Sequence, residues 1–261
     1  MTEHTPGLPA TLAWRTDGDV GVLELARPEK HNALDNETVL GLERFFTSVP
    51  DGVRAVVLAA QGRNFCAGLD LTTMDHSGVF EGVLHSRMWH RVMSTIIDAP
   101  VPVFSVLKGA VIGGGLELAS ATHVRVAERS TFYALPEGQH GLFVGGGASV
   151  RVPRLIGAAR MTDMMLTGRR YDAVEGERVG LSQYVVDNGT GLDRALELAH
   201  RAAANSPVTN YAILQVLPRT AEVAPHDAYL IESLVAGIAS GSDEAKGRMR
   251  SFLDKEKAGR P

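Results

Sequence analysis

Two short stretches of the chain could present backbone N–H groups to a negatively charged oxygen. A glycine triplet at 113–115 lies between an apolar, strand-like run and a helical pattern, and the segment 67–71 follows another such run and a turn at 61–62. N–H groups at the start of a helix lack intrahelical partners and can stabilise an oxyanion. Either stretch could also be only a tight turn. Together they are compatible with stabilising a carbonyl oxygen that gains negative charge.

Two glutamates close to the glycine-rich stretches could transfer protons. Glu117 lies two residues after the first triplet, and its apolar neighbours Leu116 and Leu118 indicate partial burial. A buried carboxylate is costly unless it has a partner or a function. Glu137 lies in a polar stretch and would, on its own, be interpreted as an exposed loop acid. Paired carboxylates are a common basis of general acid–base catalysis.

Other uses of these residues find little support in the sequence. A dinucleotide fingerprint requires Gly-x-Gly-x-x-Gly, and counting from the triplets at 113 and 145 the last position is Leu118 or Val150. A phosphate-binding loop requires Gly-Lys followed by Ser or Thr, whereas Lys108-Gly109 has the reverse order. The histidines show no paired spacing with acids that is typical of zinc, so we expect no metal site.

The elements that must position these residues alternate between strands and helices. Apolar runs predict buried strands over residues 20–25, 53–59, 101–107 and 124–127. Helical spacing of apolar residues predicts helices over residues 36–49, 78–97 and 116–121. This mixture indicates an α/β fold.

After residue 191 the pattern is helical throughout. Helices are predicted over residues 192–205, 209–217, 226–239 and 243–257. We therefore predict an α/β core with the active site over residues 1–200 and a helical region over residues 201–261. Apolar positions such as Leu230, Leu234 and Ile238 are more than one small tail can bury within itself, which predicts association of several copies.

Composition and charge exclude several classes of protein. Hydrophobic residues make up 44% and charged residues 21%, as in an ordinary soluble domain, and the net charge of −4 argues against nucleic-acid binding. The uncharged, largely apolar stretches 99–107 and 109–116 fall short of the ~20 apolar residues of a membrane span, so no membrane partner is expected. The single Cys66 and the lack of a signal-peptide pattern in residues 1–12 predict a cytoplasmic location.

Six segments follow one another in an order that is typical of a known family. They are RPEKHNALD at 27–35, FCAGLDL at 65–71, GAVIGGGLELA at 109–119, LPE at 135–137 with the later glycines at 141 and 145–147, LTGR at 166–169, and the stretch 173–181. Together these motifs resemble the crotonase (enoyl-CoA hydratase/isomerase) family over about residues 12–257.

The resemblance implies a fold and an activity. The fold would be a crotonase-like spiral of ββα units followed by a C-terminal helical region that builds a homotrimer, or a homohexamer of two trimers. The activity would be the reversible syn addition of water to 2-enoyl-CoA thioesters, giving 3-hydroxyacyl-CoA, as in the hydro-lyases of fatty acid metabolism. No separate cofactor is implied, because coenzyme A enters as part of the thioester substrate.

The family's functional positions can be carried over to matching residues. The backbone N–H groups of Leu69 and Gly114 would form the oxyanion hole for the thioester oxygen. Glu117 would be the base on the water and Glu137 the acid that protonates C2, while the N–H of Gly145 would help to hold the water. The coenzyme A groove would be lined by Lys30, Ala33, Leu34, Ala67, Gly68, Leu69, Asp70 and Leu71.

Three alternatives stay open at this point. A double-bond isomerase would rely on one acid near Glu137, and retention of Glu117 favours the hydratase. A thioester or peptide hydrolase would need a nucleophile with a positioned histidine, and Ser120 and His123 lack that context. An acyl-CoA-binding protein without turnover would keep the groove alone.

The acyl pocket and three departures from the family pattern concern the identity of the substrate. The pocket would draw on Met74, Phe80, Leu84, Met88, Trp89 and Met93, although such a stripe is often plain core. His123, Lys108 and Val144 stand where Asp, Asn and Pro are usual in the family. They favour a divergent subgroup whose substrate differs.

Overall fold

A computed structural model describes residues 7–73, 78–241 and 243–258 of the chain. Its strands form two sheets and alternate with helices along the core. The strands are β1 (Leu12–Asp17), β2 (Val20–Leu25), β3 (Ala55–Ala60), β4 (Val103–Leu107), β5 (Ala110–Ile112), β6 (Val124–Glu128), β7 (Phe132–Ala134), β8 (Tyr171–Asp172) and β9 (Tyr184–Val186).

Helices cover both faces of the larger sheet and form the C-terminal region. They are α1 (Asn36–Thr47), α2 (Val79–Ile97), α3 (Gly114–Ala121), α4 (Ala148–Ile156), α5 (Ala158–Thr167), α6 (Ala173–Val179), α7 (Gly191–Ala203), α8 (Pro207–Tyr211), α9 (Leu217–Thr220), α10 (Pro225–Gly241) and α11 (Asp243–Ala258). No helix within these described ranges is long and apolar enough to cross a membrane.

The larger sheet has the strand order β1-β2-β3-β4-β6-β9, and every neighbouring pair except β1-β2 is parallel. Strand β3 is buried on both faces, as its uninterrupted apolar run predicts for the centre of a parallel sheet. Alternate residues of the strands pack into two clusters, one under α1 and α2 and the other under α7.

The smaller sheet has the order β5-β7-β8. Single-residue bridges between Leu34 and Leu69 and between Cys66 and Val111 extend the pairing from β5 towards the N-terminal part of the chain. Units of two strands and a helix recur as β1-β2-α1, β4-β5-α3 and β6-β7-α4. The predicted α/β fold with ββα units and a C-terminal helical region is therefore confirmed.

Helix α2 differs from its prediction in the face that it buries. Helical spacing predicts that one face carries Val79, Val83, Met88, Val92 and Ile96, but Val79 and Val83 are exposed and only the second half of the helix enters the core. The buried residues are Trp89, Val92, Met93 and Ile96. The first half of α2 instead forms one wall of a cavity.

The helices of the C-terminal region are less regular than the sequence indicated. Residue 200 lies inside α7, whose Ala195, Ala199 and Ala203 are buried against the larger sheet. The helix predicted over 209–217 is instead α8, a π-helical turn (Ala212–Val216) and α9. Pro218 lies at the start of α9, and its lack of an N–H breaks the regular α-helical ladder there.

Candidate active site

A cavity of about 700 Å³ lies where the first half of α2, the start of α3 and the segment 136–146 meet. Its wall contains five of the residues that the sequence singled out for chemistry, namely Leu69, Gly114, Glu117, Glu137 and Gly145. The fold therefore brings together groups that are as much as 76 positions apart in the sequence, counting from Leu69 to Gly145.

Backbone pairing places the two predicted oxyanion donors side by side. Leu34 donates its N–H to the Gly68 carbonyl at 2.8 Å, and Ile112 donates to the Cys66 carbonyl at 3.1 Å, which aligns the 66–69 segment with β5. A Cβ on Gly114 would lie only 3.3 Å from the Leu69 nitrogen. Within the part of the chain that the structure describes, neither the Leu69 nor the Gly114 N–H donates a hydrogen bond. Both are free to bind a ligand oxygen.

Glycine is required at one turn of this arrangement for two reasons. Gly68 has φ = 102°, which is unfavourable for residues with a side chain. A Cβ at this position would also lie 2.9 Å from the Ile112 carbonyl oxygen. The close approach of the 66–69 segment to β5 therefore depends on the absence of a side chain at Gly68.

Arg27 holds the 67–71 loop in place, a role that was not predicted from its motif. Its guanidinium donates to the Ala33 carbonyl at 2.7 Å and forms ion pairs with Asp35 at 3.0 Å and Asp70 at 2.9 Å. A hydrogen bond from the Thr72 hydroxyl, together with Arg27, lowers the pKa of the Asp70 carboxyl. The presence of an arginine in the RPEK motif and of an aspartate in the FCAGLDL motif was the sequence feature that could have indicated this ion pair.

The residues predicted to line the coenzyme A groove fall into two groups. Ala67, Gly68, Leu69 and Leu71 line the cavity, and Lys30 is exposed on a short 3₁₀ turn, Pro28–Lys30. The side chains of Leu34 and Asp70 are buried, with Leu34 in the main hydrophobic core, whereas Ala33 is half-buried. Leu34 and Asp70 therefore support the loop from behind, and a ligand would meet their neighbours.

Glu117 is held firmly at the inner end of the cavity. It is 4% exposed, and its Oε1 accepts hydrogen bonds from the N–H groups of Gly146 at 2.7 Å and Ala148 at 3.0 Å. Ala148 is the first residue of α4, so the carboxylate lies at the N-terminus of that helix, where a negative charge is favourable. This arrangement orients the carboxylate and leaves Oε2 for other partners.

Glu137 lies in the cavity wall with fewer partners. It begins the 3₁₀ turn Glu137–His140, and its buried Oε2 has no hydrogen-bond partner among the described residues. Burial, with a smaller contribution from the charge of Glu117, raises the pKa of Glu137 to about 7. A carboxyl group in this state can hold or release a proton near neutral pH.

The residues that bind Glu117 were not identified from the sequence. Gly145 does line the cavity, and its carbonyl accepts a hydrogen bond from the Ser86 hydroxyl at 2.6 Å. The donors to Glu117, however, are the next residue, Gly146, and Ala148. A glycine triplet directly before a helix was the signal that could have indicated them.

The wall contributed by α2 differs from the predicted acyl pocket. Among the predicted residues that the structure describes, only Trp89 lines the cavity; Phe80 and Leu84 are exposed elsewhere, and Met93 is buried in the core. Met88 packs partly buried against that core, and Met74 lies outside the described residues. The helical turn instead presents Val79, Gly82, Val83 and Ser86 to the cavity, opposite Leu142, Phe143 and Val144.

Only one of the three departures from the family pattern lies at the cavity. Val144 is part of the wall, whereas Lys108 accepts a hydrogen bond from Phe65 through its backbone carbonyl. His123 Nδ1 accepts from the Val103 N–H at 2.9 Å, and Nε2 lies 3.0 Å from the Ile97 carbonyl. Burial lowers the pKa of His123, so a neutral imidazole fits both contacts and joins β4 to the end of α2.

Known proteins share this order of motifs with the chain. The sequence profile of the enoyl-CoA hydratase/isomerase family matches residues 15–259. Enoyl-CoA hydratase EchA19 of Mycobacterium tuberculosis is 30% identical over 244 residues, which cover 91% of each chain.

Solved structures with the same fold include close relatives in sequence. A candidate enoyl-CoA hydratase of Rhodopseudomonas palustris superposes with a TM-score of 0.95 at 52% identity and covers 99% of this chain and 100% of its own. An enoyl-CoA hydratase of Bacillus anthracis superposes with a TM-score of 0.88 at 26% identity, covering 94% and 96%. Motif order, fold and cavity agree with these matches, and the chain therefore belongs to the enoyl-CoA hydratase/isomerase family.

Proposed function

We propose that this chain is a hydro-lyase that adds water reversibly to 2-enoyl-CoA thioesters and yields 3-hydroxyacyl-CoA. The observation that carries the proposal is the pair Glu117 and Glu137 in one cavity, beside the unpartnered N–H groups of Leu69 and Gly114. Family membership and relatives named enoyl-CoA hydratase support the same reaction.

The four groups would divide the reaction as follows. The N–H groups of Leu69 and Gly114 bind the thioester oxygen and stabilise the negative charge of the enolate as it forms. Oε1 of Glu117 is already occupied by two N–H groups, so Oε2 takes the proton from water while the water oxygen bonds to C3. The electron pair of the C2–C3 double bond then takes a proton at C2 from the carboxylic acid of Glu137.

The pair of glutamates needs one proton in total to begin this cycle. Glu117 must be ionised and Glu137 protonated before water adds, and the positions of the proton are reversed afterwards. A proton transfer between the two acids, directly or through solvent, restores the starting state. The raised pKa of Glu137, about 7, provides its acid form at neutral pH.

The substrate would bind with its coenzyme A portion along Lys30, Ala33 and the 67–71 loop, which Leu34 supports from behind. Lys30 is exposed, and its ammonium group would bind the phosphates of coenzyme A. No cofactor beyond the coenzyme A of the substrate is proposed. A cytoplasmic location is proposed on the basis of the single Cys66, which is a free, buried thiol.

We propose that helices after α7 form a trimer, or a hexamer of two trimers. On α10 the large apolar side chains Leu230, Leu234 and Ile238 are 61–66% exposed in the single chain. A contiguous row of exposed apolar side chains is typical of a protein–protein interface. Light scattering of the purified protein at micromolar concentration should give three or six times the mass of one chain. A monomer mass would contradict this part of the proposal.

The activity can be tested with a panel of 2-enoyl-CoA thioesters of increasing chain length. Hydration removes the conjugation with the thioester, so the absorbance of the conjugated bond should fall and the product mass should increase by one water. Turnover of 3-enoyl-CoA alone would identify an isomerase, and release of free coenzyme A a hydrolase. Tight binding of a thioester without any product would leave an acyl-CoA-binding protein.

A further inference from the structure

A positively charged side chain lies behind Glu117, on the side away from the cavity. Arg151 of α4 donates through Nε to the Ser120 hydroxyl at 3.0 Å. Its Nη2 donates both to the Glu117 carbonyl at 3.0 Å and to the Gly146 carbonyl at 2.7 Å. One guanidinium therefore contacts α3 twice and the segment before α4 once.

These contacts fix the peptide that holds the Glu117 carboxylate. Gly146 donates its N–H to Oε1 of Glu117, while its own carbonyl accepts from Arg151. The Ser120 hydroxyl also donates to the Glu117 carbonyl at 2.8 Å, so backbone and side chain of the same glutamate lie in one network. Gly146 is held from both sides, and its position relative to α3 depends on Arg151.

The surroundings of Arg151 indicate that its role is to donate these three hydrogen bonds. No carboxylate lies within ion-pair distance of it in the described part of the chain, and burial lowers its pKa. Burying a guanidinium without such a partner is costly unless its donors are satisfied. Gly147 has φ = 99°, and a Cβ there would collide with Nη1 of Arg151, which explains the third glycine of the triplet.

We propose that Arg151 is a positioning residue for hydration: it joins Gly146 to α3 and thereby keeps the Glu117 carboxylate oriented towards the attacking water. The kinetic part of this inference rests on the proposed function, whereas the geometric part does not. Arg151 lies behind the carboxylate and does not line the cavity, so it acts through Glu117 and Gly146.

The kinetic test compares Arg151→Met with Arg154→Met. Arg154 lies on the same helix and forms an exposed ion pair with Glu222 at 2.8 Å, so it serves as the matched control. Because misplacing a catalytic group by about 1 Å can cost about 10²-fold, Arg151→Met should lower kcat for hydration by about 10²-fold and leave KM within about 3-fold. Arg151→Lys, which keeps a charged donor, should recover part of the loss.

Two results of these kinetics would overturn the proposal. The first is a kcat of Arg151→Met within about 3-fold of the parent. The second is an equal loss in Arg151→Met and Arg154→Met, which would indicate a general effect on α4. If Arg151→Met fails to fold, Ser120→Ala removes one of its acceptors, and an unchanged kcat in that variant would also contradict the proposal.

Amide hydrogen exchange tests the geometry without any substrate. The N–H groups of Gly146 and Ala148 bind Glu117, so they should exchange faster in Arg151→Met and at the parental rate in Arg154→Met. Unchanged exchange in Arg151→Met would overturn the proposal even if kcat fell. Faster exchange in a protein that hydrates no enoyl-CoA would retain the positioning role and reject the proposed function alone.

Discussion

Glu117 lies in a helix whose residues are all buried, whereas Glu137 begins a 3₁₀ turn in which no residue is buried. The first carboxylate binds two N–H groups, and the second has an unpartnered, buried Oε2. Both face the same cavity. On one side of the site, called here the rigid side, two hydrogen bonds hold the carboxylate of Glu117. On the other, called the looser side, one buried oxygen of Glu137 has no partner among the described residues.

This difference separates the two acids chemically. Two N–H groups at and before the start of α4 bind the carboxylate of Glu117, while burial penalises the charge on Glu137 and raises its pKa to about 7. Two identical side chains can thus take opposite roles in one step, one as proton acceptor and one as proton donor. The contrast depends on what each acid contacts, which leads to four predictions.

The largest effect is expected when either acid is replaced by its amide. Glu117→Gln and Glu137→Gln should each lower kcat for hydration by roughly 10²–10⁴, because the amide keeps the shape but cannot exchange a proton at neutral pH. Affinity for the thioester should change little in steady-state kinetics and in binding measurements. Glu197→Gln, on the exposed face of α7, is the control.

The two amide variants can also contradict the proposed roles of the two acids. Full activity of Glu117→Gln on a 3-enoyl-CoA, together with loss of activity in Glu137→Gln, would identify an isomerase that needs only the acid of the looser side. If neither substitution changed the parental rate, neither glutamate would take part in catalysis, and the proposed roles would be wrong.

The rigid side can be tested through its N–H group at Gly114. Gly114→Pro removes this donor at the first position of α3, where proline fits the helix, and Gly114→Ala keeps the donor. A Cβ at Gly114 would lie 3.0 Å from the Trp89 ring in both variants, so the comparison between them removes the effect of the Cβ and tests the replacement of the N–H by the proline ring. We expect kcat of the proline variant to be about 10²–10³ below that of the alanine variant. Equal rates would mean that the triplet is only a turn.

The pH dependence tests the looser side. Because the pair must hold one proton, kcat/KM for hydration should fall as the pH rises through about 7, where Glu137 ionises. Dehydration of 3-hydroxyacyl-CoA should fall in parallel, because the overall reaction takes up no proton. A rate profile without an inflection near pH 7, or one that Glu137→Gln leaves unaltered in shape, would contradict the assignment.

The smallest effect concerns stability. The folded-state pKa of Glu137 is raised from 4.5 to about 7, so its ionisation costs nothing below pH 4.5, costs more as the pH rises, and reaches the full cost above pH 7. Glu137→Gln should therefore raise Tm at pH 8 and not at pH 4. After allowance for solvent screening we expect about 2–4 °C, or roughly 1 kcal/mol, by calorimetry. A lower Tm at pH 8 would contradict a penalised charge.

The strands and helices, and the burial of Glu117, could be predicted from the sequence because they depend on local patterns. The apolar run of β3 and the spacing in α1 identify their elements without reference to the rest of the chain. The apolar neighbours of Glu117 likewise anticipated a carboxylate that is 4% exposed. Family motifs supplied the order of the loops and hence the candidate residues.

The contacts that give each candidate residue its own chemical environment were decided by the tertiary structure. Gly146 and Ala148 reach Glu117 from 29 and 31 positions away, and Arg27 reaches Asp70 from 43. The outward face of α2 was misjudged because helical spacing shows which residues align, but not where the sheet beneath them ends. Side-chain periodicity is a local property, whereas hydrogen-bond partners and desolvation depend on which segments the parallel strands bring together. Only the tertiary structure could therefore show that Oε2 of Glu137 is buried without a partner among the described residues.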